Sequence, residues 1–250
     1  LYLSTLVSLN SSEKKDVERN IKAGITRLQL FQTYEGGFSY WPGESYESEW
    51  GTNYAGNFIL EAELAGYRLP SNMKSKWIKY QKDKAINWTM DNGLKKRKQA
   101  STQLIQAYRL YLLALCDNSE VGAMNRLREE KNLSTTAKWR LASAYAIIGQ
   151  KEAAEEIVKG VSTSVSGYRE LSFGYGSGLR DRAIILETQG VLKKKEAFQT
   201  VKEIAGILSS ERWLSTQETA YSLLSIAKYC KANGGESSSK MSYSIGGAAS

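Results

Sequence analysis

Phe31-Gln32-Thr33-Tyr34-Glu35-Gly36-Gly37-Phe38-Ser39-Tyr40-Trp41-Pro42-Gly43 breaks a helical pattern and crowds aromatics around two adjacent glycines. Gly36 and Gly37 permit the positive φ with which helices commonly end. Phe38, Tyr40 and Trp41 then stand where side chains pack over a corner or meet a ligand. Three readings are open for such a bend: a substrate site, a structural corner, or one unit of a repeating architecture.

The flanking sequence narrows the choice. Val17, Ile21, Ile25 and Leu28 recur at helical spacing, which predicts a helix over about 13–33. Tyr54, Phe58, Ala62 and Ala65 predict another over about 49–66. Leu104, Tyr108, Tyr111 and Leu115 mark about 98–116, and Leu141, Tyr145 and Ile148 mark about 134–148. Ser215-Thr216-Gln217-Glu218 is a capping box that opens a helix bearing Ala220, Leu223, Leu224 and Ala227. Ten to twelve helices are expected between the breakers, without a convincing strand among them. Connections such as Asp117-Asn118-Ser119 and Gly149-Gln150 are short, so successive helices should be antiparallel neighbours.

Helical hairpins bury their faces either by stacking as an open solenoid or by closing into a ring. A solenoid requires a fixed period. Trp139–Ala154 resembles one tetratricopeptide unit, yet Tyr145 lies six residues after Trp139 rather than seven, and no copy follows 34 residues on. The spacings vary, which favours the ring. The expected fold is therefore all-α: an α/α toroid of antiparallel helical hairpins with inner and outer layers. It should occupy 1–231. Residues 232–250 read as a linker, around Lys231–Lys240, followed by the start of a β domain in which Met241, Tyr243 and Ile245 alternate with serines.

Composition restricts the chemistry. The 250 residues are 42% apolar, enough to bury a sizeable core. No run approaches the length of a membrane span, and the start at Leu1, already helical in pattern, reads as a piece of something longer. Net charge is +8, with clusters at Lys95–Lys98 and Lys193–Lys195. Each lies at a helix boundary beside acidic residues and reads as a solvated face rather than a nucleic-acid surface. There is no histidine, which removes Ser-His-Asp and Cys-His catalysis and every histidine-containing metal site. Two cysteines, Cys116 and Cys230, make neither a disulfide scaffold nor a four-thiolate zinc site. No cofactor and no metal are expected. Three tripeptides, at Asn10, Asn87 and Asn132, match the glycosylation pattern, which is common by chance.

Gln32-x-x-x-Gly36-x-Phe38 has the form of the glutamine–aromatic turn of helical toroids such as terpenoid cyclases, where the glutamine binds backbone at the start of the next helix. The wider context is more specific. Ile21–Gly43, Ser48–Tyr67, Leu179–Leu192 ("LRDRAIILETQGVL") and Trp213–Tyr229 ("WLSTQETAYSLLSIAKY") together resemble, in order, the thioester-type helical, complement-like domain of bacterial alpha-2-macroglobulins. The resemblance implies an α/α toroid within a large protein of the periplasm or cell envelope, with a lipid anchor, if present, outside this chain. Such proteins trap and inhibit endopeptidases: a peptidase cuts a bait region and the protein rearranges around it. The implied partners are neighbouring β-sandwich domains of the same polypeptide and target peptidases, without nucleic acid or membrane insertion by this domain.

The family's reactive Gly-Cys-x-Glu-Gln segment is missing here, and the surroundings of Cys116 and Cys230 do not match it. No catalytic centre is therefore expected. Trp41, Tyr46 and Trp50 are the candidate residues for contact with a neighbouring domain, as exposed aromatics often mark interfaces. The competing reading is an α/α-barrel enzyme acting on glycans or isoprenoids. For glycans, Glu35, Glu44, Glu47 or Glu49 beside Tyr40, Trp41, Tyr46 and Trp50 would have to face a scissile bond. The magnesium-binding Asp-rich runs expected for isoprenoids are missing. A helical-repeat scaffold is the third reading.

Overall fold

The computed structural model describes residues 1–171 and 174–234, together with the backbone of 244–245 and 248–249. Eleven helices are present among them: α1 (Leu3–Leu6), α2 (Ser11–Leu28), α3 (Glu49–Leu64), α4 (Met73–Ile86), α5 (Lys96–Leu115), α6 (Val121–Arg128), α7 (Thr135–Ile147), α8 (Lys151–Val158), α9 (Gly178–Val191), α10 (Ala197–Leu208) and α11 (Thr216–Asn233). The count and the four predicted segments agree with the periodicity. The ends differ where local bonding intervenes. The helix expected to run to Thr33 stops at Leu28, because Thr33 N–H donates to the Gly37 carbonyl (2.9 Å) in the bend. α11 continues to Asn233, so helix covers Lys231–Asn233, where composition reads as linker.

Caps fix several starts. Asn10 and Glu13 form a capping box on α2, and Ser215 and Glu218 form the expected one on α11. Ser48 and Ser177 cap α3 and α9 by accepting from Gly51 N–H and Arg180 N–H.

The helices alternate between layers. α3, α5, α7, α9 and α11 are inner; α5 packs on α3 and α7, and α9 packs on α7 and α11. Outer helices bridge them: α4 lies on α3 and α5, α6 on α5 and α7, and α10 on α9 and α11. Side chains close the circle from α11 back to α3. Tyr221 stacks on Tyr54 with ring centroids 5.6 Å apart, and Lys228 pairs with Glu61. This ring is the toroid expected from the variable spacings, and it excludes the open repeat scaffold. Short α1 sits against α11, where Tyr2 hydroxyl donates to Glu61.

The inner helices run in one direction, as pairings between their starts show. Ser134 N–H, before α7, donates to Gln103 in the first half of α5 (2.9 Å). Thr136 at the start of α7 donates to Asp181 at the start of α9 (3.1 Å). One face of the ring therefore gathers the inner N-termini and the long loops before them. That face includes the 29–48 bend.

The bend is a corner. Gln32 Nε2 donates to the carbonyls of Gly36 (3.1 Å) and Met73 (3.0 Å), while Phe38 is buried in the core. Met73 begins α4, so the glutamine clamps the next outer helix rather than the next helix in sequence. Close approach also fixes Gly56, over which Trp77 lies so tightly that a Cβ would come within 2.3 Å of its ring. Trp77 Nε1 donates to Thr52 O (3.0 Å).

In the tail, Ser244–Ile245 pairs antiparallel with Ala248–Ala249. Met241 and Tyr243 of the expected alternation lie outside the described residues.

Candidate functional site

The three residues predicted to form a contact surface separate. Trp41 is 69% and Tyr46 82% exposed, on the loop between the corner and α3. Trp50 is 3% exposed and belongs to the core. The correction has a local cause: Ser48 caps α3, so Trp50 lies in its first turn and points into the ring, against Tyr108 and Tyr221. The Arg180 guanidinium covers its ring at 4.3 Å. Trp50 is not available to a partner.

The structure joins Tyr40 of the bend to two aromatics that the sequence did not single out, Tyr175 and Trp213. Tyr40 meets Tyr175 edge-on, with centroids 6.0 Å apart, joining the loop before α3 to the loop before α9. Arg169 in the latter stacks on exposed Trp213 at 4.5 Å, reaching the loop before α11. Trp41, Tyr46, Tyr40, Tyr175 and Trp213 thus sit on consecutive loops of one face, since α11 lies between α9 and α3 in the ring. Only the ring order brings Tyr175 and Trp213 beside the bend, so no linear signal marks those two.

The carboxylates proposed for glycan chemistry do not converge. Glu47 accepts from Thr33 hydroxyl (2.8 Å), and Glu49 pairs with buried Arg109 (3.0 Å). Glu35 and Glu44 are exposed.

The carboxylates that do meet lie at the other end of the axis. Glu187 accepts from Arg140 Nη1 (2.7 Å), Tyr111 hydroxyl (2.8 Å) and Lys228 Nζ (2.6 Å). Lys228 also pairs with Glu61. Arg140 stacks on Tyr111 at 4.2 Å. Burial alone would push the Glu187 carboxyl up, but Lys228 and Arg140 outweigh it and hold that carboxyl far below the ordinary carboxylate range. The same anion holds Lys228 well above its usual value despite burial. The direction at Glu187 is the opposite of the raised pKa a glycosidase's general acid needs. The arrangement suits a structural bolt joining α3, α5, α7, α9 and α11.

Beside it, α1, α3 and α11 line a mainly apolar groove of about 290 Å³, with Leu1, Leu6, Phe58 and Leu224 among its walls. Cys116 is half-buried and Cys230 exposed; both are free thiols. Among the described residues no group of acidic or thiol side chains is arranged to hold a metal ion. No helix there is long and apolar enough to cross a membrane.

No family model matches the sequence. Individual proteins do. The chain is 27% identical over 221 residues to the alpha-2-macroglobulin of Escherichia coli K12, a match covering 84% of this chain and 13% of that protein. A cryo-EM structure of native E. coli alpha-2-macroglobulin superposes with a TM-score of 0.76 at 25% identity, over 90% of this chain and 14% of the other. The E. coli protein activated by porcine elastase gives 0.71 at 26% identity, over 88% and 20%. The chain spans about an eighth of the length of the curated relatives it matches. By sequence and by fold, it is similar to a helical region that makes up a small part of the far longer bacterial alpha-2-macroglobulins.

Proposed function

We propose that this chain is the toroid domain of a bacterial envelope protein that traps and inhibits endopeptidases, and that it acts by docking rather than by catalysis. The observation that carries the reading is the agreement of the whole ring with both native and elastase-activated E. coli alpha-2-macroglobulin. A domain that resembles its counterpart in both the native and the elastase-activated protein fits the role of a body carried by its neighbours. The interior fits that role, since the buried Glu187 cluster ties the inner helices together.

In this reading Trp41 and Tyr46 contact a neighbouring β-sandwich domain of the same polypeptide, and residues 232–250 lead into another such domain. Exposed aromatics are the side chains that interfaces favour. Target peptidases are the external partners.

The test uses the full polypeptide that encodes this segment. Treated with trypsin or elastase, it should change hydrodynamic radius and then protect large protein substrates from the peptidase, while a small chromogenic peptide is still cleaved. An unchanged radius with unhindered cleavage of large substrates would overturn the proposal. Release of sugars from a glycan polymer by this chain, abolished in Glu47→Gln or Glu49→Gln, would favour the enzyme reading instead.

A further inference from the structure

Lys95, Lys96, Arg97 and Lys98 open α5, an inner helix whose first turn carries no acidic residue and whose N-cap, Lys95, makes no capping bond. Cations at this end of a helix oppose its dipole, whereas carboxylates there are stabilising. The starts of α3, α9 and α11 follow the favourable rule, with Glu49, Asp181 and Glu218 respectively. All four basic residues at α5 are exposed. Among the described residues no carboxylate pairs with Lys95, Lys96 or Arg97. The fold therefore supplies no paired carboxylate for these three cations.

The cluster does not end with α5. Arg97 lies over the Tyr168 ring at 5.0 Å and donates through Nη2 to the Arg169 carbonyl (3.1 Å). Arg169 in turn lies on Trp213 at 4.5 Å. Two guanidinium groups are thus held on aromatic rings in series, along a ridge from α5 across the loop before α9 to the loop before α11. Stacking fixes a guanidinium plane and lowers the entropy lost when its N–H fork meets a carboxylate. The second basic cluster, Lys193–Lys195, has no such arrangement: Lys194 is paired with Glu155.

We infer that the ridge formed by Lys95, Lys96, Arg97, Arg169 and Trp213 is a docking surface for an acidic protein segment, whose carboxylates meet the stacked arginines while an apolar side chain covers Trp213. An anionic membrane is the less suitable partner. Glu170 and Glu211 are interspersed along the ridge, and exposed Trp213 lies beside Arg212, itself paired with Glu218 at 3.7 Å. A lipid surface rewards unbroken positive charge, whereas protein interfaces combine arginine and tryptophan with a mixed polar rim. The inference stands apart from peptidase trapping, since it concerns only what this face binds.

The test is binding of fluorescent poly-L-glutamate to this chain at low and physiological salt, with vesicles of phosphatidylglycerol and phosphatidylcholine as a second probe. Lys95→Ala/Lys96→Ala/Arg169→Ala should weaken polyglutamate binding about tenfold or more, while Lys193→Ala/Lys194→Ala/Lys195→Ala, which removes the same charge elsewhere, should change it by less than about twofold. Arg169→Lys keeps the charge but loses the flat stack, and should fall between them. Circular dichroism checks that each variant folds. Equal weakening by the two triple variants would overturn the inference, as would no polyglutamate binding. Tighter binding to the vesicles than to polyglutamate, lost in the ridge variant, would overturn it in favour of a membrane partner.

Discussion

Arg140 Nη1 stands 2.7 Å from the Glu187 carboxylate, with both side chains shut off from water between α7 and α9. A pair of this kind contributes little when compared with a well-packed apolar pair, but breaking it is costly because a charge is left behind. Glu187→Ala strands Arg140, leaves Lys228 with Glu61 alone, and should destabilise the fold by about 3–5 kcal/mol, measured by urea unfolding. Arg19→Ala at the exposed pair with Asp16 should cost below about 0.5 kcal/mol.

The same carboxylate makes a pH prediction. Its folded pKa is depressed below the unfolded value by Lys228 and Arg140. A group depressed in this way contributes stability above its unfolded pKa, about 4.3 for glutamate, and that contribution disappears as pH falls towards the folded value. Unfolding free energy should therefore drop from pH 5 downward in the wild type. Glu187→Gln should start lower and show a shallower slope over the same range, followed by urea titrations at each pH. An identical slope in both proteins would remove Glu187 from the account of acid unfolding.

This network also shows where sequence reading stops. Apolar periodicity found α2, α3, α5 and α7 to within a few residues, because each has a face on the core, and Ser215–Glu218 announced α11 through its cap. The same method sends Arg140, Glu187 and Lys228 to solvent, since it treats charged positions as an outer face. An inner helix of a ring has no outer face. Charges on it must be neutralised by partners from other helices, and those partners lie 41 to 167 residues away in sequence. Trp50 failed for a related reason: the helix was expected from about 49, but periodicity did not show that its first turn points into the ring, against Tyr108 and Tyr221. The corner was legible in type, from Gln32, Gly36 and Phe38, but not in its partner Met73.

Two glycines of that corner separate backbone strain from steric exclusion. Gly36 has φ +102°, and a Cβ there would lie 2.4 Å from the Lys76 carbonyl oxygen. Gly43 has φ +80°, with no atom within 4 Å of a Cβ. Both substitutions to alanine strain the backbone, at about 1–2 kcal/mol. Gly36→Ala must also push α4 away from the bend and should cost at least about 3 kcal/mol, in the range reserved for disrupted packing. Thermal melts of the two variants give the comparison; equal losses would mean that contact with α4 is unimportant.

Thiol chemistry should divide the cysteines. Cys230 is exposed near the end of α11, whereas Cys116 is half-buried, donates weakly to the Leu113 carbonyl (3.5 Å) and is pushed above its usual pKa by burial. Since the thiolate is the reactive form, Cys116 should react with a disulfide reagent at least about tenfold more slowly than Cys230 at neutral pH. Both should titrate in denaturant. Methylamine should add no mass to this chain, since each sulfur is a free thiol; a methylamide adduct would contradict that assignment.

Trp41 and Trp50 make the sharpest contrast, because residues of one type nine positions apart have opposite surroundings. Trp50 fills the ring beneath Arg180, so Trp50→Ala should cost about 3–5 kcal/mol. Trp41 has most of its surface in water, so Trp41→Ala should change stability by less than about 1 kcal/mol. If Trp41 and Tyr46 dock a neighbouring domain, the double variant Trp41→Ala/Tyr46→Ala should leave this chain's melting temperature nearly unchanged. In the full polypeptide it should instead accelerate proteolysis between the toroid and the adjoining domains. That split between a silent effect in isolation and a measurable one in context is what an interface residue produces, and a core residue cannot imitate it. Equal proteolysis of variant and wild-type polypeptide would mean that the two aromatics face only solvent.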